Sequence, residues 1–518
     1  MKLITEPQID VKIRRMRARV RWQHEKVTQR HIDQTRLSIA ETLEAPVGFS
    51  FLVLGDSGTG RHRGSNPQRR VAECLLKYGQ DADFTLHTGD VVYLVGSSEQ
   101  YRANFIRPYR EWLLGGEKYQ KIAYDRMIFQ RPFFPVLGNH DYYDLPRLLG
   151  LLSGLGGPLR YALRSYVDLD IGWHGSFQGD AYARAFIDYL QGIPDAQLGA
   201  HLDTHYDSYF GRDRCLTYRP SHFTRLPNRY YTFRYGGIDF FALDSNTLNQ
   251  PLPLDDPDNL YHTRAQLAAQ RQELAAEKAH ILRELGAAVA NPMSDEDHDD
   301  LTGELEELDE AIYDIDKQLD HVSPAVVDYE QLDWFRDRLI ASWRDPAVRG
   351  RIVFFHHPPY VTEATKWFQG QTLAVRHHLR RVLDAVQVEV SALTQGTPLL
   401  NLVLCGHAHC FEYLRTGDTG HGDAHIPWIV CGGSGYSLRR QRSQGSELRE
   451  SVGGQEQIVA TSHLFLGRSG KGSTLRRPYT ALRVDVNEGI PLQLTATPLI
   501  TEKHKRGWQP YRHEALDL

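Results

Sequence analysis

Short apolar runs that end in polar, chemically reactive residues recur five times along the chain. The clearest is the run 133–137, followed directly by Gly138-Asn139-His140-Asp141. A continuous apolar run bounded by turn residues is typical of a buried strand. The other four runs end at Gly55-Asp56, Gly89-Asp90, His356-His357 and Gly406-His407-Ala408-His409. The pattern predicts five buried strands with polar side chains at their carboxyl ends.

Segments with helical spacing separate these strands. The pattern predicts helices near residues 68–78, 98–114, 328–343 and 372–385, and two further strands at 229–233 and 238–243. Asp244 follows the second of these strands and is interpreted as a turn cap in preference to a metal ligand. Alternating strands and helices predict an α/β fold, in which ligands bind beyond the carboxyl ends of the strands.

An amphipathic helical pattern interrupts this alternation at residues 262–325. Apolar residues recur at steps of three and four, with acidic residues between them, at Leu301, Leu305, Leu308, Ile312, Ile315 and Leu319. A second such set precedes the helix breaker Asn291-Pro292, at Leu267, Leu274, Ile281 and Leu285. We predict an inserted antiparallel helical hairpin. It could mediate a homodimer or pack on the body of its own chain, and the sequence favours neither.

The remaining segments lack a strand followed by ligand residues. Residues 1–45 are predicted as a basic, helical extension, with strand-like alternation at 16–22 and a helix at 23–43. The basic run 12–21 is interpreted as a solvated surface in preference to a nucleic-acid contact. Residues 145–228 are interpreted as an insertion that could cap the site, and 501–518 as a polar, peripheral tail. The α/β domain is assigned to 46–260 and 326–500.

The composition is that of a soluble globular protein. Of 518 residues, 41% are apolar and 24% are charged, and the net charge of -5 gives no general attraction for nucleic acid. Five cysteines without CxxC spacing disfavour a disulfide framework or a cysteine zinc site. The sequence shows neither an apolar leader nor a run near the ~18 apolar residues of a membrane span, and it predicts a cytoplasmic protein.

The residues at the strand ends are those that bind hard metal ions. Carboxylates, an amide oxygen and imidazoles can hold two cations about 3.5 to 4 Å apart, which clamp a phosphoryl group and activate water. The glycine-rich loop after Asp56 lacks the Lys-Ser/Thr of a nucleotide-binding P-loop. Arg61 and Arg63 in this loop could contact a substrate phosphate, although solvated surface residues are the commoner case.

In their order along residues 48–436, the five blocks resemble the motifs of calcineurin-like metallophosphoesterases. The resemblance implies a four-layer sandwich of two mixed β-sheets flanked by helices. It also implies two sets of metal ligands that share Asp90: Asp56, Asp90 and His409 for one ion, and Asp90, Asn139, His356 and His407 for the other. His140, oriented by Asp141, would donate a proton to the leaving group or stabilise the transition state.

The first block departs from the family pattern. Many members carry Asp-x-His, whereas Asp56 is followed here by Ser57 and Gly58. The spacing Gly89-Asp90-x-x-Tyr93 resembles purple acid phosphatases, in which the tyrosine is a phenolate ligand to ferric iron. Because a phenol with a pKa near ~10 ionises at neutral pH only beside a strong Lewis acid, Tyr93 as a ligand favours Fe(III), paired with Fe(II), Mn(II) or Zn(II). The alternative is that Tyr93 only packs beside the strand end.

His356 and His357 compete for one ligand position. The family's His-x-Pro pattern favours His356, which leaves His357 to face the substrate or to pack. The leading hypothesis is a binuclear phosphoesterase that hydrolyses a phosphate monoester or diester, with a phosphorylated small molecule as substrate, by in-line attack of a metal-bound hydroxide. A catalytically silent binding or scaffold protein on the same fold, and a nuclease, are the alternatives.

Overall fold

A computed structural model describes residues 5–40, 47–58, 66–144, 176–254, 263–287, 295–320, 326–452, 455–470, 474–489, 491–504 and 507–518. The strands described are β1 (Ile32–Ile39), β2 (Phe49–Leu54), β3 (Phe84–His87), β4 (Phe133–Pro135), β5 (Ser208–Phe210), β6 (Asp213–Tyr218), β7 (Tyr231–Tyr235), β8 (Ile238–Ala242), β9 (Gly350–Phe354), β10 (Leu402–Cys405), β11 (Phe411–Thr416), β12 (Pro427–Cys431), β13 (Glu447–Val452), β14 (Gln455–Leu466), β15 (Pro478–Val486), β16 (Leu494–His504), β17 (Gly507–Arg512) and β18 (Leu516–Asp517). The α-helices described are Ile9–Arg19, Glu25–Thr28, Pro67–Tyr78, Ser98–Tyr101, Asn139–Tyr142, Asp180–Phe186, Asp195–His205, Arg264–Ala287, Asp295–Asp320, Tyr329–Arg344 and Gly370–Thr394.

These strands form two mixed sheets. The smaller has the order β17-β16-β15-β2-β3-β4, with β18 paired to β16, and its strands β2, β3 and β4 are parallel. The larger has the order β13-β14-β11-β12-β10-β9-β8-β7-β1-β6-β5. At its centre β12, β10, β9 and β8 are parallel neighbours, and β7 joins β8 as an antiparallel hairpin. The α/β class with two mixed sheets is therefore confirmed.

The two sheets pack face to face through aromatic side chains. Phe84 of the small sheet lies edge-on to Phe233 of the large sheet at 5.9 Å between ring centroids, and Phe51 meets Phe240 at 5.6 Å. Burying one such ring stabilises the fold by about 1.5 to 3 kcal/mol. Helix Pro67–Tyr78 covers β15 and β16 on the small sheet, and helices Tyr329–Arg344 and Gly370–Thr394 share a core with the large sheet. Helix, sheet, sheet and helices form the four predicted layers.

The packing of the sheets determines where the polar strand ends meet. The parallel strands β2, β3 and β4 end together, so the residues after them lie along one edge of the small sheet. The parallel neighbours β9 and β10 end together in the large sheet. Because the sheets are stacked, both sets of strand ends open onto one site.

The N-terminal segment differs from its prediction. Residues 16–22 were expected to alternate as a strand, but Ile9–Arg19 is a helix. In the described part of the expected helix 23–43, only Glu25–Thr28 is helical, and residues Ile32–Ile39 form strand β1. In helix Ile9–Arg19, Met16 is buried and Lys12 is fully enclosed, donating to Glu6 at 2.8 Å and to the Asn246 carbonyl at 3.1 Å. The prediction was wrong because tertiary contacts, which no local pattern records, stabilise both elements.

The C-terminal segment 501–518 is not a peripheral tail. Strand β16 continues to His504, and β17 and β18 both pair with it in the small sheet. The ring of Trp508 lies 5.9 Å from that of Tyr479. Strand β17 lies at the edge of the sheet with exposed or half-buried side chains, so its composition is polar and resembles that of a loop.

The insertion predicted at 145–228 is described only from residue 176 onward, and the part at 145–175 lies outside the described residues. The described part forms helices Asp180–Phe186 and Asp195–His205 and strands β5 and β6. Strand β6 pairs with β1 and extends the far edge of the large sheet, away from the strand ends at β9 and β10. Capping of the site by residues 145–228 stays a prediction.

The helical hairpin consists of Arg264–Ala287 and Asp295–Asp320, which pack against each other. Leu267, Ile281, Leu308 and Ile315 are buried, as the periodic pattern requires. The second helix also contacts Gly370–Thr394, so the hairpin rests on the body of its own chain. A homodimer through the hairpin stays a prediction. Among the described helices, none has the length and apolar character needed to cross a membrane.

Candidate metal centre

Side chains at the ends of β2 and β3 converge with His409 on the hydroxyl of Tyr93. This oxygen lies 2.8 Å from Asp90 Oδ2, 3.0 Å from Asp56 Oδ1 and 3.0 Å from His409 Nε2. His409 Nε2 lies 3.6 Å from Asp56 Oδ1. All four side chains are buried. We call Asp56, Asp90, Tyr93 and His409 the Tyr93 set.

A second group converges on the amide oxygen of Asn139. His356 Nε2 lies 2.9 Å and His407 Nδ1 lies 3.0 Å from Asn139 Oδ1. His356 Nε2 is also 3.4 Å from Asp90 Oδ2, so Asp90 adjoins both groups. We call Asp90, Asn139, His356 and His407 the Asn139 set. The structure thus brings together all seven residues predicted as metal ligands.

These spacings fit metal coordination. Ligand atoms held at right angles about 2.1 Å from one cation lie about 3.0 Å apart, close to the distances within both sets. The phenol of Tyr93 carries one proton, which cannot satisfy two carboxylates and an imidazole at the same time. A cation among these atoms would satisfy them together. The residues therefore fit a pair of metal ions that share Asp90.

The electrostatics of the site favour positive charge. Burial raises the pKa of Asp56 and that of Tyr93 well above their ordinary values. Burial acts in the same direction on Asp90, but His356 and His140 hold its pKa below the usual range. Burial lowers the pKa of His356, but the charge of Asp90 outweighs this effect and raises the pKa to about 9. Two enclosed carboxylates with neighbouring phenol and imidazole groups are the kind of site that a bound cation stabilises.

The departure at Gly58 has a steric explanation. A Cβ atom at this position would lie 2.6 Å from Val92 Cα and 2.8 Å from Cδ2 of Tyr93. The Tyr93 ring therefore occupies the space that a histidine at position 58 would need. A side chain at position 58 is therefore incompatible with the observed position of Tyr93, which supports Tyr93 as the ligand in place of the family's histidine.

His140 and Asp141, predicted to act together, have separate contacts. His140 is half-buried, and its Nδ1 donates to the Leu94 carbonyl at 2.6 Å, while its ring lies 4.2 Å from that of Tyr93. Asp141 is fully buried and accepts from the backbone N–H groups of Gly138 at 2.9 Å, Asp90 at 3.0 Å and Val91 at 3.2 Å. Leu94, and not Asp141, orients the His140 ring. Asp141 instead ties together the loops that carry Asp90 and Asn139.

The charge state of Asp141 is the result of opposing influences. Burial, followed by the charge of Asp90, raises its pKa to about 8. The backbone N–H groups of Gly138 and Val91 favour the ionised carboxylate and limit the rise. A cation bound at Asp90 would reduce the repulsion between these two carboxylates.

The residues proposed to contact substrate are placed less favourably. His357 is buried, with Nδ1 2.9 Å from Ser245 Oγ and Nε2 3.3 Å from Asn249 Nδ2. Its ring centroid is 4.5 Å from that of His407, so it packs behind the Asn139 set. With His356 and His407 it forms a cluster whose ligand atoms lie within 4.8 Å. Arg61 and Arg63 lie outside the described residues.

Three polar residues at the site were missed by the sequence analysis. Glu310, from the hairpin helix Asp295–Asp320, lies 3.3 Å from His407 Nε2 and forms an ion pair with Lys366. Lys366 Nζ and Gln371 Nε2 each lie 3.1 Å from His407 Nε2. No sequence signal marked them, because an acidic residue on an amphipathic helix and a lysine in a loop resemble ordinary solvated residues.

Fold and site define a class: an α/β protein with two mixed sheets and buried His/Asp metal-site candidates at the carboxyl ends of its strands. Residues 49–278 match the family model of calcineurin-like phosphoesterases. Over this range, which is less than half of the chain, the protein is similar to calcineurin-like phosphoesterases, and this confirms the resemblance of the motif blocks. The matched range includes Asp56, Asp90, Tyr93 and Asn139, and the three histidine ligands follow later in the chain.

Purple acid phosphatases are among the relatives. The chain is 35% identical to purple acid phosphatase 3 of Arabidopsis thaliana over 95 residues, which are 18% of this chain and 22% of that protein. Purple acid phosphatase PPD1 from yellow lupin (Lupinus luteus) seeds superposes with a TM-score of 0.41 and 12% identity, over 91% of this chain and 54% of that chain. GAP50, the anchor in the inner membrane complex of Plasmodium, superposes with a TM-score of 0.38 and 12% identity, over 90% of this chain and 88% of that chain. Superpositions at this level carry no weight for function.

Proposed function

We propose that this protein is a binuclear metal-dependent phosphoesterase that hydrolyses phosphate monoesters or diesters. The observation that carries the proposal is the pair of buried ligand sets, each with atoms about 3 Å apart, joined through Asp90. When bound, two cations at such a site neutralise charge on a phosphoryl group and activate water for in-line displacement. This chemistry requires no covalent phosphoenzyme.

The two ligand sets differ in the metal that they would favour. The Tyr93 set offers two carboxylates, an imidazole and a phenol whose pKa burial raises well above its ordinary value. Such a phenol becomes a ligand only beside a strongly polarising ion, so Fe(III) fits this set. The Asn139 set offers a neutral amide oxygen, two imidazoles and the shared carboxylate, which suits Fe(II), Mn(II) or Zn(II).

His140 is the side chain best placed to handle a proton. Its Nδ1–H is held by the Leu94 carbonyl, which leaves Nε2 for a substrate or leaving group. Burial lowers the pKa of His140, and the charge of Asp90 opposes this. A bound phosphate adds negative charge and would raise the pKa again, favouring the imidazolium that can protonate a leaving oxygen.

The structure lends no support to a nuclease. That alternative was favoured only if the basic segment 12–21 borders the site, and the net charge of the chain counted against it. In this segment Arg17 pairs with Glu330, Arg21 with Asp195, and Arg19 donates to the carbonyls of Phe177 and Gln178. These described side chains hold the N-terminal helix to the rest of the protein.

The proposal is tested by hydrolysis of p-nitrophenyl phosphate and bis-p-nitrophenyl phosphate with the metal-reconstituted protein. Asn139→Ala removes the oxygen on which two imidazoles converge and is expected to abolish turnover. Asn487→Ala, at an exposed turn, is the matched control and should leave turnover unchanged. Monoester preference indicates a phosphatase, and diester preference a phosphodiesterase. Two bound metals without turnover of either substrate would contradict the proposal and favour a catalytically silent binding protein.

A further inference from the structure

The two ring nitrogens of His407 face different neighbours. Nδ1 lies 3.0 Å from Asn139 Oδ1 and belongs to the Asn139 set. Nε2 lies 3.1 Å from Lys366 Nζ, 3.1 Å from Gln371 Nε2 and 3.3 Å from Glu310 Oε1. The two nitrogens of an imidazole point in diverging directions, and the hydrogen bond made by one decides whether the other is free for a metal. The three side chains at Nε2 therefore bear on metal binding at Nδ1.

Two of these three neighbours act only as donors at Nε2. A lysine ammonium such as that of Lys366 has no acceptor. Gln371 Nε2 also donates to Gln369 Oε1 at 2.7 Å and to Glu310 Oε1 at 3.3 Å, so its amide directs the NH2 group to this point. When Nδ1 binds a metal, the neutral imidazole carries its proton on Nε2, which then needs an acceptor. Among the described side chains, Glu310 supplies that acceptor.

Without Glu310, the same surroundings favour the opposite tautomer of His407. A proton on Nδ1 can be donated to Asn139 Oδ1, and Nε2 then accepts from Lys366 or Gln371. In that tautomer Nδ1 has no lone pair to offer a metal. The Glu310 carboxylate thus favours the one tautomer of His407 that can act as a ligand.

Glu310 belongs to the inserted helical hairpin, and docking of the hairpin fixes its position. One turn further along helix Asp295–Asp320, Asp314 accepts from the backbone N–H groups of Gly370 at 2.7 Å and Gln371 at 3.1 Å. These bonds attach the helix to the start of the next long helix of the α/β body. They hold the Glu310 carboxylate beside the Asn139 set.

We propose that Glu310 is a positioning residue of the metal centre, which accepts the Nε2–H of His407 and so leaves Nδ1 free to bind the metal. The helical hairpin is then part of the metal centre. Metal binding and docking of the hairpin strengthen each other, because coupling between two sites is reciprocal. The inference rests on the proposed function for a metal ion at the Asn139 set, and it does not depend on which ester is hydrolysed.

Metal affinity, measured without substrate, tests this role. The dissociation constants of two zinc ions are measured by competition with a chromophoric chelator. In Glu310→Ala, the constant of one ion is expected to rise about 10- to 100-fold, the usual effect of removing an outer partner of a metal-bound histidine. Glu310→Gln removes the same charge but keeps an acceptor oxygen, so it should retain most of the affinity. Equal weakening in both variants would mean that charge alone acts on the metal, and would overturn the positioning role.

A second variant separates positioning from docking. Lys366→Met breaks the ion pair between Lys366 and Glu310 but leaves the Glu310 carboxylate beside His407. It is expected to bind zinc at least as tightly as wild type, because the acceptor stays and a competing donor is lost. Weakening as large as in Glu310→Ala would show that docking alone is required. Asp309→Ala is the matched control, since Asp309 is an exposed neighbour on the same helix that pairs with Lys278, and it should leave both constants unchanged.

Hydrogen exchange of the hairpin gives a readout on the protein itself. In wild type, zinc should slow amide exchange in helix Asp295–Asp320, because the bound metal favours the tautomer that donates to Glu310. This effect should be kept in Asp309→Ala and lost in Glu310→Ala. Exchange of the wild-type helix that does not respond to zinc would contradict the coupling.

The outcomes separate this inference from the proposed function. If Glu310→Ala binds zinc weakly, Glu310→Gln binds it well and the wild type hydrolyses no ester, the proposed function fails and the positioning role stands. If the wild type hydrolyses esters and Glu310→Ala binds zinc as tightly as wild type, the positioning role fails and the proposed function stands. A wild-type protein that binds fewer than two zinc ions would overturn both.

Discussion

Asp141 provides a quantitative test of how the candidate site is held together. Its buried carboxylate accepts three backbone N–H groups, from Gly138, Asp90 and Val91. Asp141→Ala leaves all three without an acceptor, and each unsatisfied buried donor costs about 1 to 3 kcal/mol. Three such donors give about 3 to 9 kcal/mol, so we expect the free energy of unfolding to fall by at least about 3 kcal/mol, a large part of the 5 to 15 kcal/mol that is typical of a folded protein.

The assay is urea denaturation of wild type and variant, with metal content measured on the same samples. Asp337→Ala is the matched control, because Asp337 is an exposed helix residue paired with Arg336, and it should change stability by less than about 0.5 kcal/mol. Asp141→Asn keeps one acceptor oxygen and should fall between alanine and wild type. Metal content should follow stability, since the same hydrogen bonds position Asp90 and Asn139.

One result would refute this reasoning. If Asp141→Ala kept its stability and its metal content but lost turnover, Asp141 would take part in the chemistry, as the sequence alone suggested. The structure predicts instead that Asp141→Ala loses stability and metal content, and that turnover falls as a consequence of these losses.

Three further predictions follow from the same contacts. Tyr93→Phe should lose the visible absorption that a ferric phenolate gives, together with metal from the Tyr93 set, and an unchanged spectrum of the iron-loaded protein would show that Tyr93 only packs. Glu6→Gln should cost about 3 kcal/mol in urea denaturation, because it leaves enclosed Lys12 without its partner. Burial raises the pKa of Glu6, but Lys12 and Lys317 together hold it below the usual range. The loss of stability in Glu6→Gln is therefore complete above about pH 4.3 and shrinks as the pH falls below that value. A loss of stability that does not depend on pH would contradict the ion pair. Chelation of a metal present at 100 times its Kd should lower stability by about 2.7 kcal/mol, and an unchanged melting temperature would argue against tight binding.

The strand ends could be predicted from sequence because the signal at each is local. An apolar run followed by Gly-Asp or Gly-Asn-His-Asp specifies both a buried strand and the chemistry at its end. Strand β1 and strands β17 and β18 could not be predicted, because their stability comes from pairing with distant strands. The hairpin was predicted from its periodicity, but its docking was not, since Glu310 has the same local pattern whether it faces solvent or His407.

The backbone at the site contains a feature that no sequence pattern predicted. Asp56, Asp90 and His407 have φ values of 51°, 54° and 66°, in the left-handed region that non-glycine residues seldom adopt. Each costs about 1 kcal/mol or more, and such residues persist only where surrounding contacts fix them. Here the fixing contacts are visible, since Asp56 Oδ2 accepts from the His407 N–H at 2.8 Å and Asp90 Oδ1 accepts from the His140 N–H at 2.8 Å. The abrupt turn after each strand directs a candidate ligand inward, so the strain is concentrated at the residues whose orientation the proposed metal centre requires.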